Sequence, residues 1–269
     1  MSDSGLPVLG EQEFRTLQGL MVEASGIRLA PAKRSLVAGR LLRRLRVHGV
    51  TDYADYLALI RRPEHERERR LVIDLLTTNE TYFFREPAHF RFLEQYLRRL
   101  NGPLRLWSAA CSSGEEPYSL AMVLAEHAQH DDWRILASDL SQTMLSRAGD
   151  AIYSLDEAAD FPPGWLQRHC LKGTGEHAGK LRIGQHLRQR VDLKELNLMR
   201  PLPGTIGSQD IVFLRNVLIY FSREDKFTIV RRVLERLRQG GLLFIGHAES
   251  LHGFELPLTV VAPSVYQRS

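Results

Sequence analysis

Residues 104–120 read LRLWSAACSSGEEPYSL, and this stretch decides the fold that the sequence predicts. It has the pattern of a short buried strand, a tight turn of small residues and the start of a helix. Proline is favoured in the first turn of a helix, where its missing N–H would have no partner. The carboxylates of Glu115 and Glu116 suit the positive end of the helix dipole. We therefore expect a ligand to bind at this turn.

The chain continues as a helix over 117–128 and a second strand over 133–137, which ends at Asp139. Two parallel strands joined by a helix form a right-handed crossover unit. An acidic residue at the end of the second strand is the usual partner of ribose hydroxyls in such units. The Gly-x-Gly-x-x-Gly pattern of dinucleotide sites is absent, so a nucleoside ligand without phosphates, such as S-adenosylmethionine, fits better than NAD.

Further strands are predicted at 210–214 and 242–245, separated by a helix over 223–239. Ligands of open parallel sheets bind beyond the carboxyl ends of the strands. Residues 108–114, Asp139 and Arg215 with Asn216 are therefore expected to converge on one crevice. Residues 153–191 interrupt the alternation, and their glycine-rich part predicts a hairpin over 171–183 that continues to 191.

Composition narrows the class of protein. The chain has 269 residues, 43% apolar and 25% charged, which is typical of an ordinary globular protein. It lacks the roughly 20-residue apolar run that a membrane span needs, and residues 1–7 lack a secretion signal. Two cysteines predict neither a disulfide framework nor a metal cluster. We expect a cytoplasmic protein without a metal site or membrane insertion.

The N-terminal part, residues 11–76, contains only helical signals and includes one unusually basic helix. No acidic residue occurs between Glu23 and Asp52. A helical projection places the basic side chains opposite an apolar face; they are Arg40, Arg43, Arg44 and Arg46. A solvated face, the alternative, usually mixes both signs, so this stripe favours docking of nucleic acid or an acidic protein helix. The lack of interleaved aromatic residues argues against single-stranded nucleic acid.

Residues 75–86, LLTTNETYFFRE, combine polar side chains with three consecutive aromatic residues and have no clear periodicity. One interpretation is an interdomain linker that caps the next helix. The other is a loop that folds over a polar ligand, in which Arg85 would meet a carboxylate.

Five segments in order resemble the chemotaxis receptor methyltransferases of the CheR family. They are TTNETYFFRE at 77–86, WSAA with GEEPYS at 107–119, ASD at 137–139, RNVLIYF at 215–221 and GLLFIGHAES at 241–250. The resemblance implies an all-α N-terminal domain over 1–86 and an α/β methyltransferase domain over 87–269. The second domain would be a Rossmann-like S-adenosylmethionine-binding sheet with a small antiparallel β-subdomain inserted at about 165–191.

The activity implied is methylation of glutamate side chains on the cytoplasmic helices of chemoreceptors, with S-adenosylmethionine converted to S-adenosylhomocysteine. The cofactor contacts that carry over are Asn79, Thr81, Arg85, Glu115, Asp139, Asn197, Leu198, Arg215 and Asn216. The basic helix would approach the receptor, and a loop with Gly173 and Gly175 resembles those of members that capture a receptor C-terminal pentapeptide. We further hypothesise that Arg98, Arg99 or Tyr220 orients the substrate glutamate.

Two rival functions remain open from the sequence. An RNA methyltransferase would explain the basic helix, but it would carry a motif such as Asn/Asp-Pro-Pro-Tyr where this chain has Arg215-Asn216-Val217. A non-enzymatic adaptor could bind the same ligand as a regulatory signal. We expect a monomer that does not bind nucleic acid, although no coiled-coil pattern or apolar surface in the sequence fixes the oligomeric state.

Overall fold

The computed structural model describes residues 7–269 and divides them into two compact units. The first unit runs to Thr78 and includes residues 220–222, and the second comprises 79–219 and 223–269. The sequence placed residues 79–86 with the N-terminal domain, whereas the structure groups them with the second unit. Residues 1–6 lie outside the described residues, and so does most of the 1–7 stretch in which the sequence predicts no secretion signal. Within 7–269, the helices are too short or too polar to cross a membrane.

The first unit is all-α, as predicted. Its helices are α1 (Glu11–Ser25), α2 (Arg34–Val47), α3 (Tyr53–Ile60) and α4 (Glu66–Leu76). Each buries a stripe spaced by three or four residues, such as Val37, Leu41 and Leu45 of α2. The side chain of Asp52 accepts a hydrogen bond from the Asp55 amide at 2.8 Å, which caps the start of α3.

The second unit is built on a seven-stranded sheet. Its strands are β1 (Leu104–Ala109), β2 (Trp133–Asp139), β6 (Val191–Glu195), β7 (Gln209–Leu214), β8 (Leu237–Ile245), β9 (Leu258–Ala262) and β10 (Val265–Arg268). The order across the sheet is β6-β2-β1-β7-β8-β10-β9, and the first five strands in that order are parallel. The antiparallel strand β10 joins β8 to the edge strand β9. Strands β1 and β7 are each buried at five of their six positions, as is typical of the central strands of a parallel sheet.

Helices precede or connect the parallel strands. They are α5 (Pro87–Leu97), which precedes β1, α6 (Glu115–His127), α7 (Gln142–Asp150) and α10 (Arg223–Arg236). The crossover predicted from the sequence is therefore present as β1, α6 and β2. Strand β8 begins at Leu237, five residues before the predicted strand. Helix α10 ends at Arg236, before its predicted end at residue 239.

The inserted subdomain differs from its predicted bounds. A three-stranded antiparallel sheet is formed by β3 (Ile152–Ser154), β4 (Cys170–Lys172) and β5 (Lys180–Ile183), in the order β3-β5-β4. Two short helices, α8 (Trp165–His169) and α9 (Gln185–Arg188), flank it. The hairpin therefore does not continue to 191: residues 185–188 are helical, and Val191 begins β6 of the main sheet. Pairing with β2 decided this outcome, because Val191 lies opposite Ile135.

Candidate active site

The turn after β1 has a strained backbone. Ala110 and Ser112 have positive φ angles of 64° and 49°, and Gly114 has a φ of 102°. A side chain at Gly114 would come within 2.7 Å of the Tyr153 hydroxyl and 2.8 Å of the Ala148 Cβ. The position therefore requires glycine both for its backbone angle and for the space beside it.

Asp139 holds this turn in place. Its carboxylate lies at the end of β2, and Oδ2 accepts a hydrogen bond from the Ser112 amide at 2.9 Å. Oδ1 accepts from the Ser141 amide, also at 2.9 Å. The side chain is 7% exposed. Asp139 therefore lies at the end of β2 beside the turn, which is where the sequence predicts a ribose contact.

Glu115 is a buried acid at the first position of α6. It is 4% exposed, and the Ser113 hydroxyl lies 2.9 and 2.8 Å from its two carboxylate oxygens. Burial raises the pKa of Glu115 above its ordinary value. The residue lines a cavity of about 400 Å³ together with Arg147, Tyr153 and Lys180. A cationic group of a ligand would stabilise the carboxylate there.

The segment 79–86 belongs to this site and is not a free linker. The Ser112 hydroxyl donates to the carbonyl of Asn79 at 3.1 Å, and the Phe84 amide donates to the Ser119 hydroxyl at 3.0 Å. Phe83 is fully buried. The half-buried Arg85 donates to the Glu80 carbonyl at 2.6 Å, and its guanidinium carbon lies 5.5 Å from the centre of the Tyr82 ring.

Asn197 and Leu198 follow β6, next to Asp139. The Leu196 amide donates to the Asp139 carbonyl at 2.9 Å. Asn197 turns its side chain back on the local backbone, accepting from the Met199 amide at 2.9 Å. The structure thus brings these residues to the same edge of the sheet as Asp139.

Arg215 and Asn216 follow β7, and their polar groups bind protein carboxylates. The Arg215 guanidinium lies 3.0 Å from Glu86 and 2.9 Å from Glu116, and its side chain is 1% exposed. Asn216 donates through Nδ2 to Glu86 at 3.0 Å, while its amide donates to Glu249 at 2.9 Å. Burial alone would raise the pKa of Glu86, but Asn216 and Arg215 outweigh burial and lower it to about 2.

Glu86 and Glu249 are polar members of this site that no sequence pattern indicated, and the sequence assigned Glu116 only a helix-dipole role. Glu249 accepts hydrogen bonds from the amides of Gly246 and Leu218, both at 2.6 Å. Glu116 and Glu86 lie 99 and 129 positions from Arg215 in the chain. No local spacing could have indicated such contacts.

A cluster that could hold a cation lies beside Arg215. Ligand atoms of Glu86, His89 and His247 lie within 4.8 Å of one another. His89 is buried, and burial followed by the charge of Arg215 lowers its pKa to about 4. The same positive charge opposes a metal ion, and Glu86 already pairs with the guanidinium. We therefore assign this carboxylate to Arg215 and not to a metal.

Other predicted residues lie elsewhere. Arg98 and Arg99 are exposed, follow α5 directly and precede Leu104, the first residue of β1. They are therefore near the amino end of β1, opposite the edge that carries Asp139 and Arg215. Tyr220 is grouped with the first unit, in which its ring centre lies 5.2 Å from the ammonium of Lys33.

The basic helix α2 has two kinds of arginine. Arg40 donates to the carbonyls of Leu75 and Thr77, both at 3.0 Å, and so caps the end of α4. Arg44 binds Glu68 through two nitrogens, at 2.8 and 2.6 Å. Arg43 and Arg46 are exposed. The stripe is therefore partly structural, and only its exposed members present charge to solvent.

Gly173 and Gly175 of the subdomain loop differ in the space around them. A side chain at Gly173 would come within 1.9 Å of the His177 carbonyl, whereas Gly175 has open space but a φ of 58°. Beside them, β4 forms an edge of the small sheet, and its Leu171 is 61% exposed. An exposed edge strand can accept an added peptide strand.

Comparison with known proteins agrees with this arrangement. Residues 79–266 match the CheR methyltransferase, SAM binding domain, and residues 12–77 match the CheR methyltransferase, all-alpha domain. The chain is 41% identical to the chemotaxis protein methyltransferase of Escherichia coli K12, covering 97% of this chain and 92% of that protein. It is 32% identical to that of Borreliella burgdorferi, covering 96% and 95%.

Among solved structures, one match is a putative S-adenosyl-L-methionine-dependent methyltransferase from Methanococcus maripaludis. It shares 18% identity with a TM-score of 0.35, over 60% of this chain and 56% of that one. The two domain matches meet at residues 77–79, where the structure also divides into two units. The chain therefore belongs to the CheR family of S-adenosylmethionine-dependent chemotaxis methyltransferases.

Proposed function

We propose that the protein methylates glutamate side chains on the cytoplasmic helices of chemoreceptors and leaves S-adenosylhomocysteine as the other product. The observation that carries this proposal is the convergence of Asp139, Glu115 and the 79–86 segment at the carboxyl ends of β1 and β2, in a chain of the CheR family. The substrate is assigned as receptor glutamate because the similar proteins are chemotaxis methyltransferases.

The residues present suit S-adenosylmethionine. The turn 109–113 carries only small side chains, so a nucleoside can approach its backbone. Asp139 would bind the ribose hydroxyls, and Glu115 would bind a cationic group. The neighbouring contacts are assigned to Asn79, Thr81, Arg85, Asn197, Leu198 and Asn216. Arg215 would contribute through its backbone, because its guanidinium is occupied by Glu86 and Glu116.

The chemistry needs positioning more than proton transfer. When bound, S-adenosylmethionine supplies a methyl group on a positively charged sulfur. A glutamate side chain is ionised at neutral pH, since its ordinary pKa is about 4, and it can act as the nucleophile without a general base. The protein's task is to align the carboxylate with the methyl group and to exclude water. Alignment alone can supply roughly 7–11 kcal/mol in ideal cases.

Substrate orientation is assigned to Tyr220 and not to Arg98 or Arg99. The two arginines lie near the amino end of β1, away from the proposed cofactor contacts. A Tyr220→Phe variant should lower kcat while S-adenosylhomocysteine binding, followed by calorimetry, stays near the wild-type value. Unchanged turnover would remove Tyr220 from the mechanism.

Receptor docking is assigned to the exposed arginines of α2, Arg43 and Arg46, and tethering to the β4 edge with Gly173 and Gly175. The single-sign charge and the exposed Leu171 support these two surfaces. Titration with pentapeptides copied from receptor C-termini tests the second one directly. No measurable binding to any of them would exclude tethering. We also propose that the protein acts as a monomer in the cytoplasm.

The decisive experiment is incubation with methyl-labelled S-adenosylmethionine and a receptor cytoplasmic fragment, followed by mild base. We expect label in the receptor that is released as methanol, because glutamyl methyl esters are base-labile. A receptor fragment with its helix-surface glutamates replaced by alanine is the control. Base-stable label, or label in added RNA instead, would refute the proposal, and a bound cofactor without any transfer would favour a regulatory adaptor.

A further inference from the structure

A buried guanidinium joins two carboxylates at the edge of the candidate site. We call Glu86, Arg215 and Glu116 the carboxylate bridge. The Arg215 side chain is 1% exposed, and those of Glu86 and Glu116 are each 13% exposed. The second oxygen of Glu116 accepts a hydrogen bond from the Ser108 hydroxyl at 2.7 Å. Both oxygens of Glu116 are therefore used within the protein.

The carboxylate bridge ties together the segments that surround the site. Glu116 lies in the first turn of α6, Arg215 follows β7, and Glu86 ends the 79–86 segment. Arg215 also donates to the carbonyl of Arg85. Glu86 in turn accepts from the amide of His247, which follows β8, at 3.1 Å. One arginine thus links α6 and the end of β7 to the loop that carries three proposed cofactor contacts.

Backbone strain is concentrated in the same place. Seven non-glycine residues within 7–269 have a positive φ, and five of them lie in the three segments around this site; these five are Phe84, Glu86, Ala110, Ser112 and Asn216. Such conformations cost free energy and persist only where neighbouring contacts hold them. Glu86 and Asn216 are held directly by the carboxylate bridge, because Asn216 binds the same carboxylate as Arg215.

We propose that Glu116 is a positioning residue for methyl transfer: it holds Arg215, which fixes the 79–86 segment at the carboxyl ends of the strands. This inference rests on the proposed function only for its turnover readout, and cofactor binding tests it independently. Glu116 does more than complement the helix dipole, because its carboxylate also pairs with the buried guanidinium of Arg215. If Glu116 lost its charge, Arg215 would keep only Glu86 as a counterion. The Nε of Arg215 already lacks a hydrogen-bond partner.

The test is a double-mutant cycle with Glu116→Gln and Arg215→Met in the full chain. For each variant, S-adenosylhomocysteine affinity is measured by calorimetry, and kcat and KM are measured with the receptor fragment. We expect Glu116→Gln to weaken binding about tenfold, which corresponds to about 1.4 kcal/mol and lies within the range of coupled neighbours. The double variant should bind no more than about threefold more weakly than Arg215→Met alone, because Glu116 acts through Arg215.

Two controls separate positioning from general stability. Glu13→Gln removes a carboxylate from the first turn of α1, so it tests the loss of a helix-dipole charge in another helix. Its affinity for S-adenosylhomocysteine should stay within twofold of wild type. Arg215→Lys keeps the charge without the fork that reaches both carboxylates, and it should restore only part of the affinity lost in Arg215→Met.

Several outcomes would overturn the inference. Glu116→Gln could bind S-adenosylhomocysteine within twofold of wild type, or the two single losses could multiply in the double variant. Should Glu116→Gln not fold, Glu116→Asp replaces it, because the shorter side chain keeps the charge but withdraws the carboxylate from Arg215; affinity within error of wild type would then reject the inference. If wild-type protein binds the cofactor but methylates no receptor, the proposed function fails while this binding cycle still decides the role of Glu116.

Discussion

The sharpest stability prediction concerns Glu68 in the first unit. Its carboxylate accepts hydrogen bonds from the Tyr56 hydroxyl at 2.6 Å and from two nitrogens of Arg44, at 2.8 and 2.6 Å. The ring of His48 lies 3.1 Å from the same group. The Glu68 side chain is 8% exposed and that of Arg44 is 20% exposed. The substitution Glu68→Gln keeps the volume but leaves Arg44 without its counterion.

The size of the effect follows from the pKa of Glu68. Burial by itself would raise that pKa, but the hydrogen bonds from Arg44, Tyr56 and His48 outweigh burial and lower it from 4.5 to about 2. This lowering corresponds to about 3 kcal/mol of stabilisation at neutral pH. Removing one partner of a buried ion pair costs a similar amount, roughly 3–5 kcal/mol. We therefore expect Glu68→Gln to destabilise the first unit by about 3 kcal/mol.

The pH dependence gives an independent check. Because the pKa of Glu68 is lowered in the folded protein, its contribution is complete above the ordinary value of 4.5 and is lost as the pH falls towards 2. The difference in unfolding free energy between wild type and Glu68→Gln should therefore be constant from pH 7 to about 5. Below that range the difference should shrink and should become small near pH 2.

The assay is calorimetric or circular-dichroism melting of the full chain, analysed as two transitions because the chain has two units. A loss of about 3 kcal/mol should lower the melting temperature of the first unit by roughly 12–24 °C. Glu66→Gln, on the same helix, is the matched control: its pair with Arg70 is more than half exposed on both sides and is screened. A shift below about 3 °C for Glu68→Gln, or a shift equal to that of Glu66→Gln, would refute the reasoning.

Three further predictions concern the site and the docking surface. Asp139→Asn should weaken S-adenosylhomocysteine binding at least tenfold by calorimetry, because an amide replaces the charged acceptor of the turn; equal affinity would exclude a ribose contact. Gly114→Ala should lower the melting temperature and the affinity together, since its Cβ would meet Tyr153 and Ala148; a wild-type melting curve would contradict this steric argument. Arg43→Glu with Arg46→Glu should raise the KM for the receptor several-fold while calorimetry shows unchanged binding of S-adenosylhomocysteine; equal loss of both would mean that α2 serves the fold alone.

The sequence was informative where the signals are local. The apolar run before Ser108, the small residues of the turn and the acid at position 139 predicted a crossover unit with a ligand site, because parallel strands and helix starts have their own patterns. The α-helical first unit followed from periodicity in the same way. Five family-like segments then narrowed the ligand to S-adenosylmethionine, and the match of residues 79–266 to the SAM binding domain of the family supports S-adenosylmethionine as the methyl donor.

Tertiary structure decided what lies between distant segments. The single-sign stripe of α2 looked uniform in projection, yet Arg40 and Arg44 are bound by groups of α4, and only partner geometry distinguishes them from Arg43 and Arg46. Strand pairing likewise assigned residues 191–195 to the main sheet.

The stretch 104–120 shows the same division between local sequence signals and tertiary contacts. The sequence alone determined that this stretch is a strand, a turn and a helix, since the rules that favour small residues in the turn and acids at the helix start are local. Only the folded chain gave Glu116 its partner, because Arg215 lies 99 positions away and is brought to it by the pairing of β1 with β7. Contacts of this kind depend on the register of strands and on burial, and neither is encoded in the spacing of nearby residues.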